Sequence, residues 1–175
     1  MAHKTVFLDR DGVINKVFFR DGKPSPPWRF IDFEIEPGVE QALRRLRAAG
    51  YKLFVVTNQP DLARGDLDTE DLRMMSDKLM ATLDIDALKI CPHDDRDDCA
   101  CRKPRPGMLI ELAREHDLAL ANSYMIGDTW KDTMAARAAG CKSITLDRPY
   151  NREHAADRRV ADLSEAVELI LEDSQ

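Results

Sequence analysis

No run of about 18 apolar residues occurs in this chain of 175 residues, so nothing in it reads as a membrane span. Residues 1–9 lack the long apolar segment of a secretory signal, and a cytoplasmic location is expected. A surplus of positive charge is also missing: Lys and Arg number 26 against 32 Asp and Glu, a net charge of −6. Nonspecific nucleic-acid affinity depends on neutralising phosphates with cations, and no basic stripe is present, so nucleic acid is not an expected partner. Room is left for a local cationic pocket around one phosphate. Internal repeats and low-complexity linkers are absent, and the length suits a single domain over residues 1–175. Apolar residues make up 43% and charged residues 33%, a globular rather than a disordered balance. Nothing in the sequence sets an oligomeric state.

Cysteine is scarce and unevenly placed. Of Cys91, Cys99, Cys101 and Cys141, the first three fall within eleven residues, with His93 among them. A secreted disulfide scaffold would spread its cysteines along the chain. Three thiolates and one imidazole make a complete tetrahedral zinc set with no open position, so Zn²⁺ bound by Cys91, His93, Cys99 and Cys101 would be structural. Cys141, alone after Gly140, reads as a small core residue.

The rest of the chain alternates between two periods. Residues 5–8, 52–56, 87–90, 123–126 and 143–146 read as buried strands. Helical spacing links Val39, Ala42, Leu43 and Leu46, then Leu72, Met75, Leu79 and Leu83. It recurs at Met108, Leu109, Leu112 and Ala113, at Met134, Ala135, Ala138 and Ala139, and at Leu163, Ala166, Val167 and Ile170. Strands separated by helices predict an α/β, Rossmann-like three-layer sandwich with a mostly parallel sheet. Two stretches fit no regular element. Residues 14–37 are proline-rich, and Val17-Phe18-Phe19 before Asp21-Gly22 suggests a small hairpin acting as a flap. Residues 91–106 hold the cysteine-rich loop, its zinc part spanning 91–103. Neither is long enough to be a large cap domain.

Ligands of an open parallel sheet sit beyond the carboxyl ends of its strands, where this sequence gathers its unusual polar residues. Asp9-Arg10-Asp11-Gly12 follows the first strand, Thr57-Asn58-Gln59 the second, Arg102-Lys103 the cysteine loop, and Gly127-Asp128 the fourth strand, with Asp132 four residues on. Asp9 and Asp11, two apart on extended chain, project to one side. Carboxylates held together repel unless a cation bridges them or one is protonated. A hard, oxygen-ligated ion such as Mg²⁺, which commonly works with substrate phosphate, resolves this.

Asp9-Arg10-Asp11-Gly12-Val13, Thr57, Lys103 and Gly127-Asp128-Thr129-Trp130-Lys131-Asp132 resemble, in kind and order, the four motifs of the haloacid dehalogenase superfamily of phosphohydrolases. The resemblance implies a nucleophilic Asp9 that forms an aspartyl-phosphate. Asp11 would protonate the leaving oxygen and then deprotonate water. Mg²⁺ would be held by Asp9, the main-chain carbonyl of Asp11 and Asp128, with Asp132 assisting from behind. Thr57 and Lys103 would bind phosphoryl oxygens. The cysteine loop, Thr57-Asn58-Gln59, Ala63-Arg64-Gly65 and residues 101–108 are similar to the zinc-loop subgroup that acts on heptose bisphosphates and histidinol phosphate. This adds Asn58, Arg64 and Arg102 to the expected phosphate- and substrate-binding residues, Arg102 as the partner of a second phosphate.

The implied activity is hydrolysis of a small phosphorylated metabolite, with a heptose 1,7-bisphosphate in front and histidinol phosphate or another sugar phosphate as the alternative. A non-enzymatic phospho-acceptor or zinc-bearing interaction domain is the alternative of another class. Thr129 stands where the heptose enzymes carry a lysine, Pro60-Asp61 replaces a small Ser-Gly pair, and loop 94–98 is short and acidic. Trp28, Phe18 and Phe19 either shape the entrance or pack the flap down.

Overall fold

A computed structural model describes residues 3–173; the two outermost residues at each end of the expected 1–175 domain lie outside the described residues. The chain begins with β1 (Thr5–Leu8), the strands β2 (Phe18–Arg20) and β3 (Lys23–Ser25), α1 (Val39–Ala48), β4 (Lys52–Asn58), α2 (Asp61–Arg64) and α3 (Thr69–Thr82). It continues with β5 (Ala87–Cys91), α4 (Gly107–His116), β6 (Tyr124–Gly127), α5 (Trp130–Ala139), β7 (Lys142–Leu146), β8 (Arg159–Val160) and α6 (Leu163–Glu172). Six strands form one sheet in the order β5-β4-β1-β6-β7-β8, every neighbouring pair parallel.

Side chains alternate across a strand, and β1 shows the consequence. Val6 and Leu8 join a core layer with the apolar faces of α1, α3 and α6. Phe7 turns to the other face, onto Met108, Leu109 and Leu112 of α4 and Ala136 of α5. The result is the three-layer sandwich that the sequence periods predict. Side-chain caps mark two helix starts, Asp68 accepting from the Glu70 N–H and Asp162 from that of Glu165. Cys141 is a buried free thiol in the second layer, as expected.

Three details differ from the sequence reading. β8 has two residues, too few to show a period. β4 runs on through Thr57 and Asn58, because these pair in register with Ile90 and Cys91. Met134 and Ala138, which mark α5 in the sequence, are exposed, and its buried side is Asp132, Thr133, Ala135 and Ala136. That helix turns polar groups inward: the Thr133 hydroxyl lies 3.2 Å from that of Thr145, and Asp132 serves the site described next. β2 and β3 form the expected antiparallel hairpin, with positive φ at both Asp21 and Gly22, the turn that matches strand twist.

From β1 the chain builds the sheet outward through β4 to β5, then crosses back to β6 and builds the other way. The reversal lies between β1 and β6, where open α/β sheets form their ligand crevice. Packing there is tight. A Cβ on Gly127, the last residue of β6, would fall 2.2 Å from Asp132 Cβ. Gly127→Ala is therefore expected to displace Asp132 and destabilise by about 2–3 kcal/mol. Gly50→Ala meets nothing within 4 Å and strains only a φ of +82°, a cost of about 1 kcal/mol. Urea unfolding of the two variants checks that order.

Candidate active site

Asp9 leaves the end of β1 with its N–H bonded to the Ile126 carbonyl of β6 at 2.9 Å, which sets it beside Asp128. Asp132 sits on the first turn of α5, its Oδ2 held by the Thr129 N–H at 3.0 Å and hydroxyl at 2.7 Å. Lys103 enters from the far side of the cysteine loop and is 2% exposed. Its ammonium reaches Asp9 Oδ1 at 2.9 Å, Asp132 Oδ1 at 2.6 Å and the Val56 carbonyl at 2.8 Å. An ammonium has three N–H groups, and all three are used. Asn58 secures the Lys103 main chain: its Nδ2 donates to the Lys103 carbonyl at 2.9 Å, and its Oδ1 accepts from the Lys103 N–H at 3.0 Å.

Asp9, Asp128 and Asp132 each place an oxygen within 4.8 Å of the others. Burial pushes the Asp9 carboxyl up to about 7 against the pull of Lys103, with Asp132 and Asp11 adding repulsion. Asp128 is raised well above the carboxylate range by burial first and by Asp9 and Asp132 second. Burial works against the Lys103 ammonium, but Asp132 and Asp9 outweigh it and hold its pKa above the lysine value. The cluster carries more negative charge than Lys103 neutralises. Asp128 Oδ1 is buried without a hydrogen-bond partner. Both bonds to Asp9, from Lys103 and from the Arg10 N–H at 2.8 Å, fall on Oδ1, and among the described residues none reaches Oδ2. Two carboxylate oxygens without hydrogen-bond partners in one buried acidic cluster suit a hard divalent cation.

Asp11 faces the same cleft with its carboxylate fixed from three sides. Arg10 Nη2 and Asn15 Nδ2 donate to Oδ1, each at 2.9 Å, and Gln59 Nε2 to Oδ2 at 2.7 Å. Gln59 also donates to the Thr57 hydroxyl at 2.8 Å, so Thr57 is buried beneath Gln59 and is not among the residues lining the cleft. The cleft has a volume of about 680 Å³, and its outer wall carries Arg64, Arg102 and Lys131. Arg64 is engaged by Asp94 at 2.6 Å and Asp61 at 3.1 Å, and Arg102 by Asp95 at 2.7 Å. Lys131 has no ion pair among the described residues, and burial with the nearby charges of Arg102 and Arg64 lowers its pKa. The flap closes one side: Trp28 Nε1 donates to Asp61 at 2.7 Å, while the Arg20 guanidinium stacks 3.8 Å from the Trp28 ring centroid. Phe19 at the hairpin stays exposed.

The cysteine loop brings its four expected residues together. Cys91, Cys99 and Cys101 have Sγ separations of 3.2–3.6 Å, and His93 Nδ1 lies 3.3 Å from Cys101 and 3.6 Å from Cys91. A tetrahedron with metal–sulfur bonds of about 2.3 Å has edges of about 3.8 Å, so this set is shaped for one ion. All four cysteines are free. Arg102 Nη1 donates to the His93 carbonyl at 3.1 Å, tying the loop to the cleft wall.

Every site residue expected from sequence lies at this strand edge or in the cysteine loop, with two refinements. Asn58 spends its amide on Lys103, and Thr57 lies one layer below the cleft. Arg10, Asn15, Gln59, Lys131 and Tyr150 were missed. Lys131 had a legible signal, being three residues past Asp128 on the same helix start; Gln59 and Tyr150 act through contacts across 48 and 22 residues.

The profile of the haloacid dehalogenase-like hydrolases matches residues 29–140. The D-glycero-beta-D-manno-heptose-1,7-bisphosphate 7-phosphatase of Bordetella bronchiseptica is 36% identical, over 98% of this chain and 99% of its own. The D-glycero-alpha-D-manno-heptose-1,7-bisphosphate 7-phosphatase of Campylobacter jejuni is 34% identical, over 98% of each. The crystal structure of the D,D-heptose 1,7-bisphosphate phosphatase from B. bronchiseptica, complexed with magnesium and phosphate, superimposes with a TM-score of 0.83 at 34% identity, covering 97% of this chain and 99% of that one. The chain belongs to the haloacid dehalogenase-like hydrolases.

Proposed function

We propose that the chain is a Mg²⁺-dependent phosphatase that removes the 7-phosphate of D-glycero-D-manno-heptose 1,7-bisphosphate. The carrying observation is the cleft itself: three carboxylates around a buried Lys103 on its floor, and a second set of cations, Arg64, Arg102 and Lys131, on its wall. Such a cleft suits a molecule with phosphate at both ends. The relatives named for heptose bisphosphates, alike over nearly the whole chain, support this substrate.

Asp9, Asp128 and the main-chain carbonyl of Asp11 would hold Mg²⁺, with Asp132 fixing Lys103 behind them. When bound, the ion offsets the carboxylate charge and draws electron density from the phosphoryl oxygens. A carboxylate oxygen of Asp9 attacks phosphorus, the ester P–O bond breaks, and Asp11 gives its proton to the leaving sugar oxygen. Asp11 then takes a proton from the water that attacks the aspartyl-phosphate, and inorganic phosphate departs. Lys103 keeps the nucleophile aligned and adds positive charge as the phosphoryl group transfers, while Gln59, seated on Thr57, holds the Asp11 carboxyl. Arg102, Lys131 and Arg64 take the second phosphate. Histidinol phosphate is less well matched: its second group is an ammonium, whereas the cleft wall offers Lys131, a cation without an ion pair among the described residues.

In this reading residues 1–175 act as one domain, with the flap (about 14–37) and the loop 91–103 covering the site in place of a cap. Among the described residues no helix is long and apolar enough to cross a membrane. Free thiols arranged for Zn²⁺ fit the reducing cytoplasm.

A panel of the heptose bisphosphate, histidinol phosphate, fructose 1,6-bisphosphate and a generic monophosphate, assayed with Mg²⁺, tests the assignment. The heptose bisphosphate should have the highest kcat/KM, and Asp9→Asn should abolish turnover of all four. Lys131→Ala should raise KM for the bisphosphates about 10-fold, the loss of one charge-assisted bond, and leave the monophosphate unchanged. Equal rates across the panel would remove the substrate assignment. Removal of zinc should cost turnover even with Mg²⁺ restored, because Arg102 and Lys103 lose their anchorage; full activity in folded protein verified free of zinc would contradict this.

A further inference from the structure

We propose that Tyr150 is a positioning residue for the metal carboxylate: its hydroxyl ties down Asp128 Oδ2 and leaves Oδ1 as the single oxygen offered to the divalent cation. This rests on the reading of Asp128 as a Mg²⁺ ligand. The Tyr150 hydroxyl donates to Asp128 Oδ2 at 2.5 Å. The next residue grips the other end of Asp128, Asn151 Nδ2 donating to its main-chain carbonyl at 2.6 Å and to the Leu146 carbonyl at 2.7 Å. Asn151 is itself anchored, its Oδ1 accepting from the Arg148 N–H at 3.0 Å and from Arg159 at 2.8 Å. Two consecutive residues beyond β7 therefore fix both the backbone and the carboxylate of Asp128.

The space around this bond is closed. A Cβ on Gly12 would fall 2.2 Å from Asp128 Oδ2 and 2.6 Å from the Tyr150 hydroxyl, so the turn after Asp11 approaches closely enough to hold the pair. The other oxygen, Oδ1, is buried without a partner. One oxygen bonded from behind and one left bare is the pattern of a metal ligand oriented by an outer hydrogen bond. The Phe19 ring meets that of Tyr150 edge-on, with centroids 5.9 Å apart. The flap thus rests on the group that orients the cation site.

Titration of zinc-loaded, substrate-free protein with Mg²⁺, followed by calorimetry, tests the proposal. Tyr150→Phe should weaken Mg²⁺ binding about 10-fold, the lower end for loss of an outer partner. Tyr150→Leu should weaken it equally, since both variants lack the hydroxyl. Mg²⁺ affinity unchanged or tightened in Tyr150→Phe overturns the proposal. So does weakening in Tyr150→Leu alone, which would assign the role to ring packing. Asp128→Asn, run alongside, separates the underlying reading: if it binds Mg²⁺ as tightly as the wild type, Asp128 is not a ligand, whatever Tyr150 does.

Discussion

A lysine ammonium closed off from water among three aspartates is the constraint around which this molecule is arranged. Burying one charge is costly unless it is paired and fully bonded. Lys103 meets that condition with Asp9, Asp132 and the Val56 carbonyl. Each partner comes from a different part of the sheet edge: Asp9 from β1, Val56 from β4 and Asp132 from the helix after β6. The lysine therefore holds three strand ends in one arrangement. Its main chain is clamped in turn by Asn58 at the end of β4. One cation does not balance three buried acids, and the excess negative charge prepares the site for a metal ion and then for phosphate.

The surrounding elements serve that cluster. The cysteine loop delivers Arg102 and Lys103 at a defined point, and its acidic tip occupies Arg64 and Arg102 through Asp94 and Asp95. The flap reaches the same wall through Trp28 and Asp61. No large cap is needed, because a hairpin and a metal-shaped loop already bound a cleft of about 680 Å³.

Much of this could be read from the sequence. Asp9, Asp11, Asp128, Lys103 and the four clustered residues of the cysteine loop lie at strand ends or at short spacings, where local pattern and chain order carry the information. The strands of the main sheet were legible for the same reason, except two-residue β8. Other features depend on long-range packing that no local period records. Asn58 carries an amide suited to phosphate, but the approach of Lys103 across 45 residues takes both of its polar atoms. The inner face of α5 is polar because Asp132 and Thr133 find partners there, so its exposed methionine misleads a reading by hydrophobicity. Tyr150 lies in a segment without regular structure, and only the folded chain brings it to Asp128.

The claim that buried charge balance holds the site together is tested most directly by the unfolding free energy of Lys103→Met, in protein free of Mg²⁺. The Asp9 carboxyl is raised to about 7 from an ordinary 3.8, so its contribution to stability is fully present below about pH 4 and is lost as pH rises through 7. Without Lys103 the acids at pH 8 either ionise unpaired or take up protons at a cost, and the variant should lose about 3–5 kcal/mol there. At pH 5.5 protonation relieves the repulsion, and the loss should fall well below its value at pH 8. A loss of the same size at both pH values would show that the lysine acts by packing alone and would contradict the account.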